Sequence, residues 1–214
     1  MGRSSLVLAA AISLLWVLQQ SPAAADGQAD ANADAKGCSR ALEDKEWALA
    51  LQLCSRAIQS GTLSDADLAW ALNARCWAHN ELKEFNQSIA DCTEALRYDP
   101  SLVFSYNNRG NAYESQGDYD RAIEDFNQAL RLDPTLALGY LNRGNTYLVK
   151  GDVERAIQDI DQALRLEPRL AAAYHDRATA HLNNGEIDLA IQDYDAALAL
   201  DPDYAQAFLS RGNV

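Results

Sequence analysis

The hexapeptide Asn108-Arg109-Gly110-Asn111-Ala112-Tyr113 returns 34 residues later as Asn142-Arg143-Gly144-Asn145-Thr146-Tyr147. Asp176-Arg177-Ala178-Thr179-Ala180-His181 follows at the same step, and Ser210-Arg211-Gly212-Asn213 is a last partial copy. Self-similarity at a fixed period of this length is typical of solenoids, in which each repeat packs against its neighbours. The repeat therefore indicates that the function of this protein depends on a binding surface more than on a catalysed reaction.

Each repeating unit is predicted to form two helices. From Tyr119 to Leu132, apolar residues recur at three- and four-residue steps, which indicates an amphipathic helix. Gly117-Asp118 separates this helix from the preceding one, because Gly tolerates a turn and Asp caps a helix N-terminus. Asp133-Pro134 ends the helix, because the residue before a proline is pushed out of the α region. Neither helix can bury its apolar stripe alone, so the units must stack.

These positions resemble the tetratricopeptide repeat family, whose pattern combines aromatic, small and proline residues over two helices. The unit that begins at Val103 fills the pattern with Tyr106, Gly110, Tyr113, Ala122, Phe126, Ala129 and Pro134. The next unit fills it with Tyr140, Gly144, Tyr147, Ala156, Ala163 and Pro168, and has Ile160 in place of the second-helix aromatic. The resemblance implies an all-α fold, a right-handed α-solenoid of stacked antiparallel helix pairs. One departure is that Arg stands at the seventh place of the units, where the family has Leu.

The resemblance divides most of the chain into units, which we number as repeats 1 to 5. They span residues 31–68, 69–102, 103–136, 137–170 and 171–204, and residues 205–214 form a C-terminal half-repeat or capping helix. Repeat 1 is divergent and has a four-residue insertion near Gly61-Thr62-Leu63-Ser64. Residues 26–30 form a leader, and the stretch Asp26 to Lys36 is either frayed or the irregular start of the first helix.

The N-terminus carries the pattern of a secretory signal peptide, predicted over residues 1–25. Arg3 supplies a positive charge, Leu6 to Leu18 is an apolar run of 13 residues, and Ala23-Ala24-Ala25 offers a cleavage site. The alternative, a membrane anchor, is disfavoured because 13 residues are short for a bilayer span. We therefore expect an exported protein, periplasmic in a bacterium or otherwise secreted, that is not inserted in a membrane after cleavage.

The four cysteines fall in two equally spaced pairs, Cys38 with Cys54 and Cys76 with Cys92. Each pair places one Cys on each helix of a unit, with Glu46 or Glu84 at the turn midway between them. An even count, an oxidising compartment and this matched spacing predict two disulfides. The alternatives are a zinc site, for which no CxxC exists, and the packing of small residues.

The chain is acidic, with 31 Asp and Glu against 18 Lys and Arg and a formal net charge of −13. Such a surface repels phosphate backbones and anionic headgroups, so binding to nucleic acid or to a membrane surface is disfavoured. The negative electrostatic field of the protein favours a protein or peptide partner with a basic segment. Alternatively, the acidic residues only keep the protein soluble.

An Arg and an Asp recur in the units at a separation of 16 residues, which predicts structural ion pairs within or between repeats. The residues are Arg109, Arg143 and Arg177 with Asp125, Asp159 and Asp193, and Arg75 with Asp91 extends the series. The competing interpretation is a row of cations that awaits an anionic ligand.

No constellation of residues supports catalysis, a metal or a cofactor. His175 and His181 are six residues apart and cannot share a helix face, and His79 lies about three repeats away. His79 and His181 replace the Tyr of other units, so both are predicted to be packing residues. We expect a protein that is not an enzyme and has no cofactor.

The family resemblance implies that four places of each first helix line a concave groove. The candidate binding residues are Trp70, Asn73, Trp77, Phe104, Asn107, Asn111, Leu138, Leu141, Asn145, His175 and Thr179. The amides of Asn111 and Asn145 can bond an extended peptide backbone, and the aromatic and Leu side chains can form pockets. The groove places carry no Lys, so the Lys/Asn clamp with which chaperone-binding members hold a carboxylate is not matched. A solvated helix face remains the alternative.

Two functional hypotheses follow. The first is an exported, non-catalytic scaffold that binds a protein or peptide in its concave groove. The second is an assembly factor that self-associates or docks through the ends of the solenoid, and so forms a homo-oligomer.

Overall fold

The structure, a computed structural model, describes the backbone of residues 22–214 and side chains from residue 27 onward. Eleven α-helices and no β-strand occur in this described range. They are α1 (Pro22–Glu43), α2 (Trp47–Gln59), α3 (Asp65–Glu81), α4 (Phe85–Tyr98), α5 (Val103–Ser115), α6 (Tyr119–Leu132), α7 (Ala137–Val149), α8 (Val153–Leu166), α9 (Ala171–Asn183), α10 (Ile187–Leu200) and α11 (Ala205–Gly212). The all-α prediction is confirmed.

Each repeat is a helical hairpin, and the hairpins stack in chain order. The two helices of a hairpin contact each other most extensively, and the second helix also packs on the first helix of the next repeat. Contacts between α3 and α5, α5 and α7, and α7 and α9 line the first helices up along one side of the solenoid. This alignment positions the predicted groove.

The turns inside the hairpins follow the sequence signals. Gly117, Gly151 and Gly185 have φ values of 80°, 82° and 79°, which place them in the left-handed region that Gly adopts without steric cost. In repeats 3 and 4 the next residue caps the following helix, and the carboxylate of Asp118 accepts the backbone N–H of Arg121.

Two disulfides close the first two hairpins. Cys38 is bonded to Cys54 and Cys76 to Cys92, with Cα atoms 5.4 and 5.5 Å apart. All four sulfur-bearing side chains are fully buried. Each bridge joins the first helix of a repeat to the second, as the equal spacing predicts.

The core is divided among the interfaces between helices and is rich in Ala. Small residues such as Ala122, Ala129 and Ala156 are fully buried and allow close approach of neighbouring helices. The largest fully buried side chains in repeats 3 to 5 are Phe126, Ile160 and Tyr194, all on second helices.

One expectation for the N-terminal repeats needs correction. Residues 26–36 are neither frayed nor irregular, because they lie inside the continuous helix α1. Residues 61–64, near which the four-residue insertion is predicted, lie in the connection between α2 and α3. The added length appears in α3, which begins at Asp65 and has 17 residues where α5 has 13. Ser64 caps α3, because its side chain accepts the backbone N–H of Asp67.

The predicted signal sequence falls almost entirely on residues 1–21, which lie outside the described residues. Within the described range, no helix combines the length and apolarity needed to cross a membrane.

Candidate functional site

The recurring arginines are held in ion pairs between the two helices of each repeat. In repeat 4, Arg143 donates from Nε and Nη2 to the two oxygens of Asp159, at 2.7 and 2.8 Å. The same bidentate pairing joins Arg75 with Asp91, Arg109 with Asp125 and Arg177 with Asp193. The hydrogen bond to Asp159 is the largest cause that raises the pKa of Arg143.

A third bond from each arginine ties neighbouring repeats together. Nη1 of Arg109 donates to Thr93 at 3.0 Å, and Nη1 of Arg143 and Arg177 reach the corresponding places of the preceding repeats, Asn127 and Asp161. Each of these arginines therefore makes three hydrogen bonds to two partners, which favours the structural interpretation over a row of cations that bind an anionic ligand.

The first helices of repeats 1 to 4 enclose an open cavity of about 620 Å³ on the concave side. Its walls are Leu42, Trp70, Asn73, Ala74, Trp77, Glu81, Phe104, Asn107, Asn108, Asn111, Leu138 and Asn142. The large apolar walls remain partly open to solvent, and Trp77 is 40% and Phe104 59% exposed. We call this cavity the aromatic groove.

The position of Trp77 in the aromatic groove is fixed by two contacts. Its ring lies against that of Trp47 with centroids 5.6 Å apart in a tilted arrangement. Its indole N–H donates to the carboxylate of Glu81 at 3.2 Å. The side chain is therefore held in place before any ligand arrives.

A set of asparagine side chains forms the polar wall of the aromatic groove. Asn142 donates to Oδ1 of Asn107 at 3.1 Å, and Ser105 donates to Oδ1 of Asn73 at 2.8 Å. The side chain of Asn111 has no hydrogen-bond partner among the described residues and is partly exposed. It keeps both its donor and its acceptor for a ligand.

A smaller hollow of about 320 Å³ adjoins the aromatic groove and shares Glu81 and Asn111 with it. Lys83 and Phe85 form part of its rim. It also contains Asn80, whose Oδ1 is buried without a hydrogen-bond partner in the described part of the protein.

Four of the predicted binding residues lie outside the aromatic groove. Leu141 is buried in the core with Ile160, and His175 is buried with its ring 5.6 Å from that of Tyr194. The hydroxyl of Thr179 donates to the backbone carbonyl of His175. The remaining residue, Asn145, is bonded to an acid farther along the concave side.

The concave side becomes acidic beyond the aromatic groove. Asp176 accepts Nδ2 of Asn145 at 2.8 Å and lies 3.1 Å from Nδ1 of His175. Burial raises the pKa of Glu114, and the nearby charge of Asp176 raises it further. No Lys or Arg in the described range forms a salt bridge with either acid. We call Glu114 and Asp176 the acidic pair.

Two family models match the chain, and both describe the tetratricopeptide repeat. One matches residues 103–136, and the other matches residues 141–205 and 175–214, so that together they cover just over half of the chain. The chain belongs to the tetratricopeptide repeat family. No curated protein matches it significantly.

Several solved tetratricopeptide repeat structures resemble this one. TTC0263, a thermophilic protein of Thermus thermophilus, is 20% identical with a TM-score of 0.71, covering 86% of this chain and 97% of that one. The first such domain of Spaghetti (RPAP3), bound to the HSP90 peptide SRMEEVD, is 26% identical with a TM-score of 0.52 and covers 54% and 91%. YrrB, a protein with an unusual peptide-binding site, is 14% identical with a TM-score of 0.62 and covers 82% and 88%.

Two of the histidines in this tetratricopeptide repeat chain, His79 and His181, contact carboxylates as well as pack. Nδ1 of His79 lies 2.6 Å from Glu84 and its Nε2 lies 3.6 Å from Asp91. His181 has the same two contacts, with Glu186 and Asp193. The sequence signal for this contact was present, because a Glu follows each of these His residues by five places.

The Tyr-bearing tetratricopeptide repeats hold the corresponding turn differently. The guanidinium of Arg121 stacks over the ring of Tyr113, 4.3 Å from its centroid, and pairs with Asp118. Arg155 and Tyr147 repeat this arrangement in the next repeat.

Sequence reasoning missed several walls of the aromatic groove, namely Leu42, Ala74, Glu81, Asn108 and Asn142. Ala74, Asn108 and Asn142 share the sixth place of the tetratricopeptide unit, beside the fifth place that the family pattern marks. The recurrence of Asn at this place in repeats 3 and 4 was the available signal. Within residues 27–214, no group of three or more His, Cys, Asp or Glu side chains could hold a metal ion.

Proposed function

We propose that this protein is an exported, non-catalytic scaffold that binds a protein or an extended peptide in the aromatic groove. The observation that carries the proposal is the presence, in one cavity, of exposed large apolar side chains and of an amide group without a hydrogen-bond partner among the described residues. Trp70, Trp77, Phe104 and Leu138 are all more than a third exposed, and Asn111 lies beside them. Contiguous exposed apolar surface rimmed by polar groups is typical of an interaction site.

The groove is prepared for binding by its own contacts. Trp77 is held by Trp47 and Glu81, and Asn107 is held by Asn142. Side chains that are already ordered lose less conformational freedom when a ligand binds. Energy in protein interfaces concentrates on Trp, Tyr and Arg in pockets that exclude water, which favours Trp70 and Trp77 as the main anchors.

The similar domain of Spaghetti (RPAP3) supports a peptide as the ligand class, because that domain is bound to an HSP90 peptide. The peptide SRMEEVD is acidic, whereas the charged wall of the aromatic groove is Glu81 and no Lys or Arg lines the cavity. A different peptide chemistry is therefore required here.

Export is supported by the two disulfides, because disulfides form and persist in oxidising compartments. Together with the signal pattern at the N-terminus, this favours a bacterial periplasm, or otherwise secretion.

The test of the groove starts with capture of partners from a periplasmic extract, followed by mass spectrometry. Affinity for the captured partner is then compared between the wild type and Trp77→Ala combined with Asn111→Ala. We expect this double variant to weaken binding more than about tenfold, because truncated anchors in desolvated pockets cost about 2 kcal/mol or more.

The matched control is Gln128→Ala, which changes an exposed residue on the second helix of repeat 3. Circular dichroism checks that helix content is unchanged in both variants. Equal affinities for the groove and control variants would contradict the proposal.

A second candidate function is assembly through the solenoid ends. Phe208 and Leu209 on α11 are each 68% exposed, which leaves an apolar surface at the C-terminal end of the stack. If this surface pairs copies of the chain, analytical ultracentrifugation will show oligomers that depend on protein concentration and are lost in Phe208→Ser with Leu209→Ser. A monomer at all concentrations would remove this candidate.

A further inference from the structure

The concave side changes character along its length. In repeats 1 to 4 it presents the aromatic groove, whose walls carry one acid, Glu81, and no basic residue. Beyond Asn111 it presents the acidic pair. Asn111 and Glu114 are three residues apart on α5, or about 4.5 Å along the helix axis. An extended ligand that reaches Asn111 therefore lies within about one helical turn of Glu114.

Neither acid of the acidic pair forms a salt bridge with a Lys or Arg of the described residues. Asp176 has two polar contacts, with the amide of Asn145 and the imidazole of His175. Glu114 is half-buried and has no salt bridge in the described part of the protein. By contrast, Asp125 on the second helix of repeat 3 is matched by Arg109. The acidic pair is therefore a place where a cation from outside would be stabilised.

This negative charge shifts the pKa of two neighbouring groups, Glu114 and Tyr204. Burial raises the pKa of Glu114, a hydrogen bond with Thr146 offsets part of this rise, and the charge of Asp176 adds to it. The pKa of Tyr204 is raised by burial and then by Asp176 and Asp201. A cation placed between Glu114 and Asp176 would offset both the repulsion and the lost hydration. Such perturbed carboxyl groups in a groove are typical of functional sites.

We propose that the ligand of the groove is an extended peptide segment in which an apolar or aromatic side chain is followed by a Lys or Arg. The apolar side chain inserts among Trp70, Trp77 and Phe104, Asn111 bonds the peptide backbone, and the cation lies against the acidic pair. The assignment rests on the proposed function, and it adds the chemistry that distinguishes this partner from an acidic peptide or a terminal carboxylate. The net charge of −13 attracts such a segment at longer range.

The probe is a library of random heptapeptides with acetylated N-termini and amidated C-termini, so that neither end supplies a charge. Four forms of the full chain are screened: wild type, Trp77→Ala with Asn111→Ala, Glu114→Gln with Asp176→Asn, and Glu124→Gln with Glu154→Gln. The last form removes the same number of charges from exposed sites on second helices. Circular dichroism confirms that all four remain helical.

Wild type and the Glu124/Glu154 control are expected to select peptides with an apolar or aromatic residue and a Lys or Arg at a fixed separation. The Glu114/Asp176 variant is expected to keep the apolar preference, lose the preference for Lys or Arg, and bind the selected peptides about tenfold or more weakly. Raising the salt concentration should reduce the difference between it and wild type, because salt screens the charges.

Selection of acidic peptides, or selection by wild type of apolar residues without a cation, would overturn the inference and leave peptide binding in place. A loss of Lys and Arg preference in the Glu124/Glu154 control would also overturn it, because net charge would then explain the selectivity. If wild type selects nothing beyond what the Trp77/Asn111 variant selects, the proposed function itself fails.

Discussion

Repeats 1 and 2 and repeats 3 to 5 use one structural position in two different ways. In the first two repeats, the eighth and twenty-fourth places hold the disulfides Cys38–Cys54 and Cys76–Cys92. In repeats 3 and 4, the same places hold Gly110 with Phe126 and Gly144 with Ile160. A Cβ added to Gly110 would lie 2.6 Å from Cε1 of Phe126, so the ring packs directly on the glycine backbone. The contact between paired helices is thus covalent in one half and made by close packing in the other.

The hairpin turns of repeats 1 and 2 also differ from those of repeats 3 to 5. Repeats 3 to 5 have Gly at the left-handed position, whereas repeats 1 and 2 have Lys45 and Lys83 there, with φ values of 58° and 62°. A residue with a Cβ in this region costs about 1–2 kcal/mol. The N-terminal hairpins thus combine a less favourable turn with a covalent bond, and the C-terminal hairpins combine a favourable turn with a packed core.

This difference matters for the groove. Trp70 and Trp77 lie on the first helix of repeat 2 and remain more than a third exposed. Their apolar surface is withheld from the core, so repeat 2 gains less from burial than a repeat that packs its aromatics. A disulfide stabilises a hairpin mainly by restricting its unfolded state and needs no large side chain in the core. It therefore suits the part of the solenoid that presents aromatics to a ligand.

Reduction of both disulfides should have the largest effect. Each closes a loop of about 15 residues, worth about 3 kcal/mol in the chain-entropy model. We expect reductant to lower the free energy of unfolding of the N-terminal half and to speed amide hydrogen exchange in α1 to α4. Exchange in α7 to α10 should change little, because repeats couple mainly to their nearest neighbours. An equal increase of the amide exchange rate in both halves would contradict the view that the disulfides stabilise mainly repeats 1 and 2.

Phe126→Ala should lower the free energy of unfolding by about 3–5 kcal/mol, because it empties a fully buried site against Gly110. Urea denaturation followed by circular dichroism measures the change. The control is Phe104→Ala, which removes the same side chain from a 59% exposed site and should cost much less. Similar losses for both variants would show that the ring of Phe126 does not replace the disulfide in this repeat.

Gly110→Ala should cost about 1–3 kcal/mol, because the added methyl group overpacks against the ring of Phe126. The cost should largely disappear when Gly110→Ala is made together with Phe126→Ala, which removes the clash. A double-mutant cycle from urea denaturation measures the coupling. Additive effects would mean that the two residues do not share one packing position.

Lys83→Gly should have the smallest effect, a gain in stability of up to about 1 kcal/mol. Gly relieves the left-handed strain, and the greater freedom that it gives the unfolded chain offsets part of the gain. The control is Gln116→Gly, at a turn position with a φ of −89°, which should lower the melting temperature. A loss of stability in Lys83→Gly would show that the Lys side chain contributes more than its backbone costs.

Much of the fold could be predicted from the sequence because its determinants are local and repeated. Gly117-Asp118 and Asp133-Pro134 mark helix ends through backbone preferences that need no tertiary contact. The constant separation of 16 residues predicted both the cysteine pairs and the Arg–Asp pairs, because it joins facing positions on the two helices of one hairpin. Each repeat shows the same pattern, so an error in one is corrected by the others.

The groove was predicted less completely, because its walls depend on how one repeat turns relative to the next. The family pattern placed Trp70, Trp77, Phe104 and Asn111 on the concave side, and they share a cavity. The same pattern placed Leu141 and His175 there, yet both are buried. Side chains at the same place of the unit have different neighbours in each repeat. The sequence of one hairpin does not specify these neighbours, so it does not determine which side chains are exposed in the groove.

The sequence by itself determined the period, the helices, the paired cysteines and the intra-repeat ion pairs, because these follow from spacing within about one repeat. Only the tertiary structure decided that Asn107 is held by Asn142, that Asn111 has no partner among the described residues, and that the charge of Asp176 acts on the pKa of Glu114. The last two acids lie on α5 and α9, with a whole repeat between them. The effect of one on the other depends on the stacking of three successive first helices, and no pattern within a single unit encodes that geometry.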